Sequence, residues 1–298
     1  MSTLREGARG PRTQDGNGGP LGIVAGGGAF PAAVADAVVA GGRPVILFLM
    51  RGFADPALER FPHHWFKLGS LGSVSARAKA AGVREVVMVG TLTRPRVRDL
   101  GLDWTMLRLL PRIARLFRGG DNHLLSGVVE LVSEQGFTLI GAHEAVPALL
   151  LPQGVLGARV PSEAERANVA LGLDVIRVLG PYDVGQGVVV VDRLIAAVEA
   201  AEGTDAMLDR YGAMRRSGRL RFPAGHGVLV KAPKPDQDRR VDLPSLGPAT
   251  VRAAAEAGLA GIAFEAGGVI VPDPGQLVEA ADALGLFVIG VPSLERTP

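Results

Sequence analysis

The chain has 298 residues, 47% hydrophobic and 21% charged, with 32 Lys+Arg set against 30 Asp+Glu. A formal charge of +2 is too balanced to suggest a nucleic-acid binder, and a chain of this length is near the limit at which single cores stop growing, so two domains are expected. Cysteine is absent, which excludes disulfides, thiolate catalysis and Cys-ligated zinc or iron–sulfur centres.

Residues 1–20 have no apolar core of the signal-peptide kind and read as a disordered extension. No apolar run reaches the roughly 20 residues that span a bilayer, so a cytoplasmic protein is expected. Order is predicted to begin at Leu21: L-G-I-V-A as a strand, then G-G-G-A-F-P leading into an Ala/Val-rich helix that ends near Gly41-Gly42. R-P-V-I-L-F-L-M is a second strand, continuously apolar as a parallel sheet covered on both faces requires. His63-His64 beside Trp65 reads as surface or packing. A helix over 71–81, a strand over 85–89, helices around 103–118 and 121–135, and a strand over 137–140 follow. The fold class expected for 21–150 is α/β, a Rossmann-like, doubly wound parallel sheet.

Residues 151–162 hold two prolines and two glycines with little periodicity and are expected to be the linker. From 163 to 298 a second α/β domain is expected to carry the chemistry. Ser162 and Glu165 form a capping box for a helix to about Leu179. A strand pair broken at Asp192-Arg193 comes next, then a helix over 203–215, a strand over 226–230, a charged loop, and further helices and strands to residue 290.

That loop, K-A-P-K-P-D-Q-D-R-R-V-D-L-P-S-L-G (231–247), is the most informative stretch. Pro233, Pro235 and Pro244 fix φ and remove backbone donors, so it is neither helix nor central strand. Lys231, Lys234, Arg239 and Arg240 stand beside Asp236, Asp238 and Asp242. Cations next to hard oxygen ligands suit a phosphate with bound Mg²⁺ or Mn²⁺. The alternative is a solvated loop whose charges pair with one another.

Other candidates lie at strand ends, where open α/β sheets place ligands. Gly26, Gly27 and Gly28 have the order strand, glycine loop, helix start that favours anions. The dinucleotide fingerprint is broken by Pro31 at its third glycine, and Arg51 stands where an NAD site needs an acid. Val89, Gly90, Thr91, Leu92, Thr93 and Arg94 form a second such turn, and His143-Glu144 a third. Arg108, Arg112 and Arg115 recur at helical spacing, fitting either a solvated face or a helix lying on anionic lipid. Gln186 precedes a strand, and Thr204 caps a helix whose first turn has Asp205.

G-G-G-A-F-P, F-A-D-P, G-x-L-x-R-P, G-A-H-E, G-Q-G-V-V-V, E-G-T-D-A-M-L, G-L-A-G-I and above all K-A-P-K-P-x-Q-D-x-R-V-D-L-P-S-L-G together resemble the LpxI-type UDP-2,3-diacylglucosamine diphosphatases of lipid A synthesis, from about Leu21 to Val291. The resemblance implies Mg²⁺-dependent hydrolysis of UDP-2,3-diacylglucosamine to UMP and 2,3-diacylglucosamine 1-phosphate (lipid X). It implies that Asp242 is the acid essential to turnover, as metal ligand or water-activating base, with Asp238 as a metal ligand or a partner to one; Asp205, near the start of a helix, is a further metal-ligand candidate from its position. Substrate contacts are expected from Gly27, Gly28, Val89, Gly90, Thr91, Leu92, His143, Gln186, Thr204, Lys231, Lys234 and Gln237. Thr91 stands where the family often has asparagine. Peripheral contact with the inner membrane and an isologous homodimer are further expectations, and the runner-up is a non-catalytic nucleotide-sugar or lipid-phosphate binding protein.

Overall fold

The computed structural model describes residues 19–67, 69–91, 121–235 and 237–293. The predicted basic helix over 103–118, together with Leu92, Thr93, Arg94 and Asp236, lies outside the described residues.

Five strands, β1 (Leu21–Ala25), β2 (Val45–Met50), β3 (His63–Phe66), β4 (Glu85–Val89) and β5 (Thr138–Leu139), form one sheet in the order β3-β2-β1-β4-β5. Every neighbouring pair is parallel. Successive side chains leave a strand on opposite faces, so each face collects its own residues. Leu21, Ile23, Leu47, Leu49 and Val87 meet Val34, Ala35 and Val38 of helix α1 (Phe30–Ala40) on one face. Phe48, Val86 and Leu139 meet Ala78 of α2 (Leu71–Ala80) and Val129 of α3 (Asp121–Glu134) on the other. With both faces covered, neither can tolerate polar alternation, which is why these strands read as unbroken apolar runs. The doubly wound parallel sheet is therefore as expected. A short helix, α4 (Ala142–Ala145), follows β5.

The second sheet is mixed: β6 (Gly154–Leu156), β7 (Gly187–Val191), β8 (Leu194–Val198), β9 (Val228–Lys231), β10 (Gly261–Glu265) and β11 (Phe287–Val291), in the order β6-β11-β10-β9-β7-β8. β9, β10 and β11 run parallel, while β6, β7 and β8 pair antiparallel. Helix α5 (Glu163–Leu179) puts Val169, Leu173 and Ile176 on one face. Helices α6 (Gly203–Arg216), α7 (Pro248–Ala257) and α8 (Pro274–Ala283) cover the other with Met207, Tyr211, Val251, Ala254, Leu277 and Ala281. The capping box is present: Ser162 Oγ accepts from Glu165 N at 3.3 Å and Glu165 Oε2 from Ser162 N at 2.7 Å. Asp192 (φ 46°) and Arg193 (φ 64°) turn the β7–β8 hairpin, as a two-residue turn with both central φ positive does.

Two strands were not legible in the sequence. β3 is the edge strand H-H-W-F, whose polar and aromatic mix hides the run. β6 lies inside the span read as a linker, and three residues on a sheet edge are too short to carry a period.

The two layers share core residues. Ile270, from the second half, is buried in the α1-side cluster of the first sheet. It is fixed there by bonds from Val271 N to Leu149 O at 2.8 Å and from Ile270 N to Pro244 O at 2.9 Å. Leu243 packs on that same cluster and Val241 on the α2-side cluster. The 231–247 loop therefore leaves the second sheet and docks on the first.

Candidate active site

At the carboxyl ends of β1 and β4, the switch point of the first sheet, the two glycine turns bond to each other. Gly27 N donates to Thr91 O and Thr91 N to Gly27 O, both at 2.9 Å, and Gly26 N donates to Val89 O at 2.8 Å. So close an approach needs bare backbone. A Cβ on Gly90, where φ is +100°, would lie 2.7 Å from Gly27 O, and one on Gly26 would lie 2.7 Å from Thr91 O. Gly28 differs: at φ +87° a Cβ would meet nothing within 4 Å. Ahead of α1, where no side chain caps the helix, Gly28 and Ala29 are exposed. This leaves uncapped N–H groups at the helix start beside the ends of β1 and β4, the place where open α/β sheets generally bind anions.

The charged loop is built differently. Lys231, the last residue of β9, is buried, and its ammonium donates to Thr204 Oγ1 at 2.8 Å and to Ser245 O at 3.1 Å. Thr204 Oγ1 in turn donates to Glu199 Oε2 at 2.9 Å. Burial pushes the Lys231 ammonium below its usual range, while Glu199 and Asp205 oppose that shift. Thr204, expected to cap α6, lies within its first turn and makes no capping bond; its hydroxyl is drawn instead to Lys231 and Glu199, tying β9, the start of α6 and the end of the loop together.

Lys234 ion-pairs with Asp183 Oδ1 at 2.5 Å, its backbone N donates to Gln237 Oε1 at 2.8 Å, and Gln237 Nε2 donates to Asp242 O. Gln186 Nε2 reaches Asp242 Oδ2 at 3.3 Å. Burial raises the affinity of the Asp242 carboxyl for its proton; Lys234 and the amides of Gln186 and Gln237 pull the other way, and Asp183 adds to the rise. Asp242 therefore stands beside a cation, between Val241 and Leu243, which pack on opposite faces of the first sheet.

The three expected metal ligands do not gather. Asp238 accepts from Arg240 Nε at 2.9 Å, from Nη2 at 2.6 Å and from its backbone N at 3.0 Å. This fork-to-fork pairing holds its carboxyl below the usual range. Asp205 is exposed in the first turn of α6. Among the described residues no three Asp, Glu or His groups form a set able to hold a metal. Among the described residues of the loop, Asp238 and Arg240 form an ion pair with each other, as the alternative of internally paired charges requires; Arg239 instead reaches Glu265, outside the loop, at 2.9 Å.

His143, in α4, folds over Gly141, where a Cβ would lie 2.6 Å from its Nδ1 and 3.3 Å from Arg240 Cα. Its Nδ1 is buried without a hydrogen-bond partner. Burial lowers its affinity for a proton, Glu144 opposes that, and Arg239 adds to it. Asp183 and Glu199 were not singled out from the sequence. Each meets its partner across 51 and five positions respectively, and only the Glu199 spacing was open to a local reading.

Family models of the LpxI N-terminal domain and the LpxI C-terminal domain match residues 20–149 and 152–289. A curated relative from Caulobacter vibrioides, UDP-2,3-diacylglucosamine pyrophosphatase LpxI, is 44% identical over 276 residues, covering 93% of this chain and 99% of its own length. The two domain models between them span both sheets, the glycine crevice and the Asp242 loop, and the chain belongs to the LpxI family.

Proposed function

We propose that the chain hydrolyses the diphosphate of UDP-2,3-diacylglucosamine to UMP and 2,3-diacylglucosamine 1-phosphate, a step of lipid A biosynthesis. The observation that carries this reading is Asp242: a half-buried carboxyl beside Lys234 and two amides, on a loop docked against the sheet that holds the glycine crevice. The water oxygen bonds to one phosphorus, the bridging P–O bond breaks, and the bridging oxygen leaves on the other phosphate. Attack at either phosphorus gives the same two products. Asp242 orients the water and takes its proton. Lys234 offsets charge on the non-bridging oxygens, and the uncapped start of α1 holds a phosphate.

Mg²⁺ (or Mn²⁺) fits this donor set in a limited way. Such an ion is commonly held by one or two carboxylates plus substrate phosphates, and Asp242 supplies one carboxylate. Asp238 and Asp205 are not needed in that arrangement. When bound, the ion would neutralise charge on the diphosphate.

No described helix is long and apolar enough to cross a membrane. Acyl chains would then be reached from the surface, and the exposed Val178 and Tyr182, on the last turn of α5 and just after it, support a peripheral contact there. The purified protein incubated with UDP-2,3-diacylglucosamine and Mg²⁺, with and without EDTA, tests the reading. Metal-dependent UMP release is expected. Tight binding without UMP release would instead support a non-catalytic binding protein.

A further inference from the structure

Of the 32 basic residues in this chain only four are lysines, and two of these, Lys231 and Lys234, fall within the same loop. A guanidinium brings its own rigid fork, whereas an ammonium is a point charge on a flexible stem and must be held in place. Lys231 is held by Thr204 and Ser245. Among the described residues, the ammonium of Lys234 has one side-chain hydrogen-bond partner, Asp183, at 2.5 Å. The Lys234 side chain is 7% exposed and that of Asp183 is 28% exposed, so the pair is formed largely out of water.

Asp183 is set for this by the backbone. It follows the single turn Gly180–Tyr182 and adopts φ 57°, ψ 31°, the left-handed conformation that Asp and Asn tolerate best among residues with a side chain. The same turn touches the loop a second time. A Cβ on Gly180 would lie 2.3 Å from Pro235 Cδ, so Gly180 is in close contact with the residue next to Lys234. Three residues beyond Asp183, Gln186 reaches the Asp242 carboxylate, and its carbonyl accepts from Ala232 N at 3.1 Å. Segment 180–186 therefore forms a brace along one side of the loop. It touches the loop at Ala232, Lys234, Pro235 and Asp242.

We propose that Asp183 is a positioning residue that fixes the Lys234 ammonium where charge develops on the diphosphate. The inference rests on the diphosphatase reading. Asp183 does not touch the reacting atoms; it acts through Lys234. Without the carboxylate, the Lys234 stem keeps its length and charge but loses the contact that sets its direction.

A double-mutant cycle on UMP release tests the idea with Asp183→Asn, Asp183→Gly, Lys234→Met and the paired variants. Asn and Gly both accept the left-handed turn, so both leave the backbone in place while removing the charge. Each Asp183 variant is expected to lower kcat by about 10- to 100-fold while KM stays within about threefold, the pattern of a misplaced transition-state contact. In the Lys234→Met background, Asp183→Asn is expected to cost less than about threefold more. A wild-type kcat in either single Asp183 variant, or an undiminished Asp183→Asn loss in the Lys234→Met background, would overturn it.

Acylation of lysines by an amine-reactive reagent, read by mass spectrometry, is independent of turnover. Relative to the exposed Lys67, Lys234 is expected to label several-fold faster in Asp183→Asn than in wild type. Unchanged labelling would overturn the positioning role even if the wild type released no UMP, in which case the diphosphatase reading would fail by itself.

Discussion

The glycine crevice of the first sheet and the 231–247 loop of the second both sit at strand ends, yet they are made of opposite materials. The crevice is mainly backbone: Gly26 and Gly90 approach Thr91 and Gly27 until no Cβ fits on either glycine, and their polar backbone groups face one another. The loop is side chain throughout: prolines stiffen it, and Lys231, Lys234, Gln237 and Asp242 are each seated by a named partner. A backbone seat suits a phosphate whose position is to be fixed, because it has no rotamers to lose. A side-chain seat suits the reacting centre, because only side chains can take up a proton or shift their charge.

The sharpest test of this contrast is Asp242→Asn, which keeps the shape and removes the proton acceptor. UMP release should fall about 10²- to 10⁴-fold, while thermal denaturation should show no loss of stability, since a carboxyl that burial disfavours in its charged form has been removed. A parallel loss of melting temperature would show the residue to be structural.

Ile270→Ala addresses what joins the two regions. Ile270 is 5% exposed in the core under β1 and β2, so truncation should cost about 2–5 kcal/mol in chemical denaturation. Gly90→Ala addresses the crevice itself. A methyl at φ +100° facing Gly27 O should cost about 1–3 kcal/mol and raise KM more than it lowers kcat. If KM is unmoved, the crevice is only a turn.

The smallest effect concerns His143, which lies where the loop meets the first sheet. In the folded protein its affinity for a proton is lowered, so the unfolded chain binds the proton more readily. Its contribution is complete above the unfolded value of about 6.5 and is lost as pH falls from there toward the folded value, by at most about 1.4 kcal/mol per pH unit. Denaturation of His143→Phe over the same range should show a shallower pH slope; an equal slope would assign the effect elsewhere.

Most of this contrast was visible in the sequence, though unevenly. Continuous apolar strands between helices announced the doubly wound sheet because burial on both faces leaves no room for another pattern. The glycine turns and the proline-stiffened loop were legible because Gly and Pro act locally. Which charges in the loop are free was not. Asp238 and Asp242 look alike in a string, but one is clamped by Arg240 two positions away and the other is held by partners 56 and five positions away. Asp183 escaped notice for the same reason, and β6 was lost because an edge strand of three residues has no period to show.

The burial of Ile270 in the first core has a consequence for how the protein is made. The N-terminal half leaves the ribosome with its sheet complete but with a hole under β1 and β2, and the residue that fills the hole is synthesised about 120 residues later. At roughly 5–20 residues per second, that half waits some 6 to 24 s with apolar surface uncovered, a target for chaperones and proteases. The first half should therefore fail to accumulate when expressed without the second.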